Sequence, residues 1–132
     1  MFHPTILQIP DAELLVMQVI WDAPKMLSLK QIIQKVQKEI NSNWKVSTIR
    51  TLISRLIARG CLAVEQSGKE RCYTALIDEQ TCLREITEKF LFLHYSGSFY
   101  QMFISLAGEQ LRQLTTEELQ RLKQILSKLD MK

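Results

Sequence analysis

Residues 46–60 read VSTIRTLISRLIARG. Ile49, Leu52, Ile53, Leu56 and Ile57 recur at i, i+3, i+4, i+7 and i+8, the spacing of one apolar helix face. Between them stand Ser47, Thr48, Arg50, Thr51, Ser54, Arg55 and Arg59, with no Asp or Glu. A solvated helix face ordinarily mixes both signs of charge. Hydroxyls at short reach suit phosphate oxygens and base edges, and arginine suits guanine O6 and N7 or phosphate. An acid here would repel a duplex. Gly60 is a natural residue just past a helix end. The stretch therefore reads as a helix that buries Ile49 through Ile57 and lays its other face in a major groove.

The flanking sequence supplies the rest of a fold. Upstream, Asp11 to Ala23 carries Leu14, Leu15, Met17, Val19, Ile20 and Trp21, so it reads as a largely buried helix with Asp11 as N-cap and Pro24 as stop. Ser28-Leu29-Lys30-Gln31 fits a capping box and opens a second helix, with Leu29, Ile32, Ile33, Val36 and Ile40 as its stripe. Asn41-Ser42-Asn43 ends it. Downstream, CLAVEQSGKERCYTALI holds two β-prone arms around Ser67-Gly68-Lys69, a hairpin. Three helices and then a hairpin make a winged helix-turn-helix, whose third helix reads the duplex while the wing rides beside it. The chain is thus mainly α, with a winged-helix DNA-binding domain over residues 1–77. Lys45, Ser47, Thr48, Arg50, Thr51, Ser54, Arg55 and Arg59, with Lys69 and Arg71 of the wing, are the candidate DNA contacts. Lys30, Lys35 and Lys38 of helix two read as solvated.

Charge is distributed to match. Residues 1–77 hold ten Lys/Arg against six Asp/Glu, whereas residues 78–132 hold seven against eight. The basic excess lies in the part expected to meet a polyanion. Residues 78–132 read as a helical dimerisation domain. Three helices are expected: Glu79–Tyr95, Phe99–Ala107 and a last one capped by Thr115 or Thr116. Leu83, Ile86, Phe90, Leu91, Phe99, Phe103, Leu119, Leu122, Ile125 and Leu126 carry more apolar surface than so short a segment can close over by itself. A second copy of the chain is the expected cover.

Other classes fare worse. Cys61, Cys72 and Cys82 are an odd number without CxxC or CxC spacing, so neither a disulfide framework nor a zinc site is expected. The N-terminus lacks a signal-peptide pattern, and no run of about 18 apolar residues exists, so no membrane insertion and a reducing cytoplasm are expected. His3 and His94 are isolated. No nucleophile and base with their orienting group, and no Gly-rich phosphate loop, point to an enzyme, and no cofactor or metal is expected. Two alternatives stay open. One is a winged helix used only for protein–protein contact. The other is a redox- or metal-sensing repressor using Cys61 and Cys72, at the two ends of the wing.

The residues also carry a resemblance. Asp11-Ala12-Glu13, Val16-Met17, Ile20-Trp21, the block Thr48-Ile49-Arg50-Thr51-Leu52-Ile53-Ser54-Arg55-Leu56 and the wing end Tyr73-Thr74-Ala75-Leu76-Ile77 resemble the penicillinase repressor family of the BlaI/MecI type. The resemblance covers nearly the whole chain. It implies a homodimeric bacterial repressor that binds a palindromic operator and controls β-lactamase or related resistance genes. Several members are inactivated by a sensor-activated protease. Two departures stand out. Lys45, Val46 and Ser47 replace the family's usual lead into the reading helix, which implies a changed cap and a changed operator. Ser105-Leu106 matches the position of the Asn-Phe bond cut in staphylococcal-type members, which leaves cleavage there open. The family's copper-responsive branch ends in paired CxC motifs, and this chain ends SKLDMK with no cysteine beyond Cys82.

Overall fold

A computed structural model describes residues 9–130. Two compact units divide the chain, one running to Lys89 and the other beginning at Phe90. The first unit holds α1 (Asp11–Asp22), β1 (Leu27–Ser28), α2 (Leu29–Glu39), α3 (Val46–Ala58), β2 (Leu62–Ser67) and β3 (Glu70–Ala75), with the start of α4 (Glu79–Tyr95). The second holds the rest of α4, then α5 (Phe99–Leu106), α6 (Glu109–Arg112) and α7 (Thr116–Asp130).

The first unit closes a genuine core. Val16, Met17, Val19 and Ile20 of α1, Ile32 and Val36 of α2, and Ile49, Leu52, Ile53 and Leu56 of α3 are buried together with Leu27, Leu62 and Tyr73 of the sheet. Each such aliphatic side chain contributes about 1.5–3 kcal/mol by leaving water. Leu29, Ile33 and Ile40 pack half-buried against this core, as the α2 stripe requires.

Local chemistry sets the element ends. The predicted capping box forms: Ser28 Oγ accepts from Gln31 N at 3.3 Å, and Ser28 N donates to Gln31 Oε1 at 2.9 Å. The turn between α2 and α3 is pinned by Asn43 N donating to Asn41 Oδ1 at 2.9 Å and by Gln37 Nε2 donating to Trp44 O at 3.0 Å. Past α3, Cys61 N donates to Leu56 O and Gly60 N to Ile57 O, at 2.9 and 3.0 Å. This paired closure needs a left-handed residue, and Gly60 has φ 82°. Open space surrounds the position of a Cβ there, so Gly60→Ala should cost only the conformational penalty, about 1–2 kcal/mol. Urea denaturation checks this; an unchanged midpoint would count against the assignment.

The wing is a tight hairpin in which Ser67 faces Glu70 and Val64 faces Tyr73. Gly68 has φ 65° and is the first of two turn residues, as a type II′ connection demands. Leu62 and Tyr73 are buried and anchor the base, while Val64 to Arg71 is exposed. A third strand was not expected. β1 pairs antiparallel with β3, Leu27 against Tyr73 and Ser28 against Cys72, giving the order β1-β3-β2.

Several expectations need correction. Asp11 is not the N-cap: Pro10 occupies that position with extended backbone, and Leu14 N donates to Pro10 O at 3.0 Å. Asp11 is the first helical residue, where a carboxylate still favours the positive end of the helix dipole. α1 is buried on one side only, with Leu15 36% exposed. Ile57 is not core: it is 37% exposed, at the edge of a stripe that four residues already fill.

In the second unit Thr115, not Thr116, caps α7. Its Oγ1 accepts from Glu118 N at 3.0 Å, and its own N donates to Glu118 Oε1 at 2.9 Å. The short α6 was not expected. No described residue of this unit is fully buried. Leu91, Tyr95, Met102 and Leu114 are half-buried, and Phe90, Phe99, Phe103, Leu119, Leu122, Ile125 and Leu126 are exposed. Leu83 and Ile86 are half-buried in the first unit, beside the fully buried Cys82.

Candidate nucleic-acid interface

α3 presents its two faces as its spacing demands. Ile49, Leu52, Ile53 and Leu56 are at most 6% exposed, while Ser47, Thr48, Arg50, Thr51, Ser54 and Arg55 are all exposed. Lys45 is exposed at the N-cap position and makes no side-chain cap. The helix thus starts without the side-chain acceptor that Ser, Thr, Asp or Asn would supply. Among the described residues Arg50, Arg55 and Lys45 form no ion pair. Their charge is therefore not consumed inside the protein.

Thr51 is more constrained than the sequence suggested. Its Oγ1 donates to Ser47 O at 3.0 Å. The hydroxyl proton is spent on the helix itself. What Thr51 can still offer outward is a lone pair and a methyl group, and a methyl group suits a thymine C5-methyl. At the wing, Lys69 lies in the turn and Arg71 faces Gln66 across the hairpin, both exposed. Gln66 Nε2 donates to Gly68 O at 3.1 Å and stiffens that tip.

Arg59 behaves differently from its neighbours. It lies three residues beyond Leu56 and seven beyond Leu52, on the side of the core stripe. Its Nε donates to Glu13 Oε1 at 2.7 Å, and its side chain is 24% exposed. The sequence reading grouped it with the groove-facing arginines; the geometry turns it to α1. Glu13 was not among the candidate site residues. The available signal was its position: Val16, Met17 and Ile20 follow it at i+3, i+4 and i+7, so it sits in an apolar stripe where a carboxylate needs a partner.

Cys61 and Cys72 are not placed to pair in a disulfide. Cys61 is buried, and Cys72 lies opposite Glu65, four residues further along the strand path. That separation is roughly 13 Å, against the about 4.4–6.8 Å between Cα atoms that a disulfide spans. Burial pushes the Cys61 thiol up, opposed by the Arg59 guanidinium and assisted by Glu13. Burial also pushes Cys82 up to about 11, with Cys61 and Glu85 adding to it. Such thiols are poor nucleophiles near neutral pH.

His94 is exposed and packs on Phe90 with ring centroids 4.5 Å apart. His3 lies outside the described residues. Among the described residues no helix is long and apolar enough to cross a membrane. The Ser105-Leu106 bond falls in the last turn of α5, where Ser105 Oγ donates to Met102 O at 2.7 Å and lies 2.9 Å from Tyr95 OH.

The chain matches known proteins over most of its length. The family model described as "Penicillinase repressor" matches residues 9–128. The penicillinase repressor of Bacillus licheniformis is 35% identical over 119 residues, covering 90% of this chain and 89% of that protein. The methicillin resistance regulatory protein MecI of Staphylococcus aureus (strain N315) is 30% identical over 121 residues, covering 92% and 94%. A solution structure of the Bacillus licheniformis BlaI monomeric form in complex with the blaP half-operator is 40% identical, with a TM-score of 0.49, over 57% of this chain and 88% of that one. With a family model spanning nearly all its length and a relative of this identity, the chain belongs to the penicillinase repressor family.

Proposed function

We propose that this protein is a DNA-binding transcriptional repressor of β-lactamase or related resistance genes, acting as a cytoplasmic homodimer on a palindromic operator. The observation that carries this reading is the exposed, acid-free face of α3, with Arg50 and Arg55 in no ion pair among the described residues, set among hydroxyls, and a basic wing tip. The winged helix of residues 1–77 reads one half-site through Lys45, Ser47, Thr48, Arg50, Thr51, Ser54 and Arg55, with Lys69 and Arg71 on the backbone. The helices of residues 78–132 pair two copies, which supports a two-fold operator with half-sites a whole number of helical turns apart. The relatives' names support the class of genes controlled.

Selection of bound duplexes from a random pool tests this directly. The expected outcome is an inverted repeat, bound with log affinity that falls linearly with log salt. Recovery of no preferred sequence, with a flat salt response, would favour a winged helix that contacts only protein.

Release by a sensor-activated protease at Ser105-Leu106 belongs to the same proposal. The helical bond has to unwind from its Met102 and Tyr95 contacts before a protease can seat it in extended form. Mass spectrometry of the protein from antibiotic-induced cells should find a fragment ending at Ser105; an intact chain under full derepression would sink this step.

A further inference from the structure

The Glu13–Arg59 pair ties α1 to the end of α3. Glu13 is 0% exposed on α1, and Arg59 is the C-cap residue of α3. One residue after Gly60, Cys61 leads into β2 and lies near enough for both charges to act on its thiol. Thus one ion pair, buried on its Glu13 side, meets α1, the end of the recognition helix and the root of the wing.

The other carboxylate oxygen of Glu13 is buried with no hydrogen-bond partner among the described residues. Arg59 is therefore the group that neutralises this carboxylate. A buried charge that loses its counter-charge is strongly penalised, whereas replacing both partners together by well-packed apolar residues of similar volume is often neutral.

We infer that the Glu13–Arg59 ion pair is a positioning element: it sets the pose of α3 and the wing relative to α1, and operator binding depends on it although neither residue contacts DNA. This rests on the DNA-binding reading above. A misplacement of α3 by a fraction of an ångström matters little to nonspecific phosphate attraction. It matters much to side chains that must meet base edges.

The two roles open to Arg59 differ in what they predict. A phosphate-contacting arginine weakens binding uniformly across sequences when removed, and lowers the salt slope by about 1. Its loss would be unrelated to Glu13. Removing Glu13, which only withdraws negative charge, would then leave binding unchanged or tighten it. A positioning arginine gives the opposite pattern on every count.

The test uses the full chain as Glu13→Gln, Arg59→Gln and the double variant. The probes are the duplex recovered by selection and an unrelated duplex of equal length, each titrated over a salt series at a temperature where circular dichroism shows every protein folded. Each single variant is expected to lose about tenfold on the selected duplex, and the double variant no more than either single one. Affinity for the unrelated duplex and the salt slope should match wild type. A slope reduced by about 1 in Arg59→Gln, or wild-type affinity in Glu13→Gln, overturns the inference. Should the single variants fail to fold, the neutral double variant carries the test. Wild-type slope with reduced sequence preference supports the inference, and a reduced slope or unaltered preference overturns it. If wild-type protein itself shows no preferred duplex, the DNA-binding reading has failed and this inference falls with it. Failure of the variants alone leaves that reading standing.

Discussion

Replacing Arg55 with alanine is expected to lower affinity for the operator by about 1–3 kcal/mol, roughly 5- to 150-fold, and to relax selectivity at one base pair of each half-site. Arg55 is exposed, four residues beyond Thr51 on the outward face of α3, and it makes no ion pair among the described residues. Its side chain is long enough to reach a base edge from a helix seated in the major groove. A bland alternative exists, since a cation in the last turn also favours the negative end of the helix dipole. That role is worth only about 0.3–1 kcal/mol, and it would show in stability, not in binding. Measuring both separates them. A variant with wild-type affinity and a lower denaturation midpoint would make Arg55 a helix-end charge and nothing more.

A larger effect is expected in the second unit. Leu122 and Leu126 lie one turn apart on α7 and are 38% and 59% exposed, alongside Leu119, Ile125 and Leu129. An amphipathic helix whose apolar stripe remains in water is unfinished. Covering it against a second copy would gain about 25 cal/mol per Å² of apolar surface. Leu122→Glu with Leu126→Glu should therefore convert a dimer to a monomer in sedimentation. Joining two readers gives an avidity gain of about 10²–10⁴, so full-operator affinity should fall by that range while single half-site affinity stays unchanged. Wild-type protein sedimenting as a monomer at micromolar concentration would sink the dimer reading.

Much of the first unit was legible because its signals are local. The Ser28–Gln31 capping box, the Gly60 stop and the Gly68 turn each depend on residues within a few positions of one another. The exposed hydroxyl and arginine face of α3 followed from spacing alone. What escaped was long-range or very short. β1 is two residues long and exists only because β3 offers an edge to Leu27 and Ser28. Arg59 could not be told from Arg55 without Glu13, which lies 46 residues upstream in sequence. Spacing places Thr51 on the outward face, but not that its hydroxyl donates to the carbonyl of Ser47.

Ser28 is at once the strand residue paired with Cys72 and the N-cap of α2, so no linker separates sheet from helix. The joint has no slack. Force applied at the wing tip passes along β3 and into the base of α2, with no flexible segment to absorb it. The wing and α2 should therefore move as one body, so that a displacement of the wing tip is felt at the start of α2.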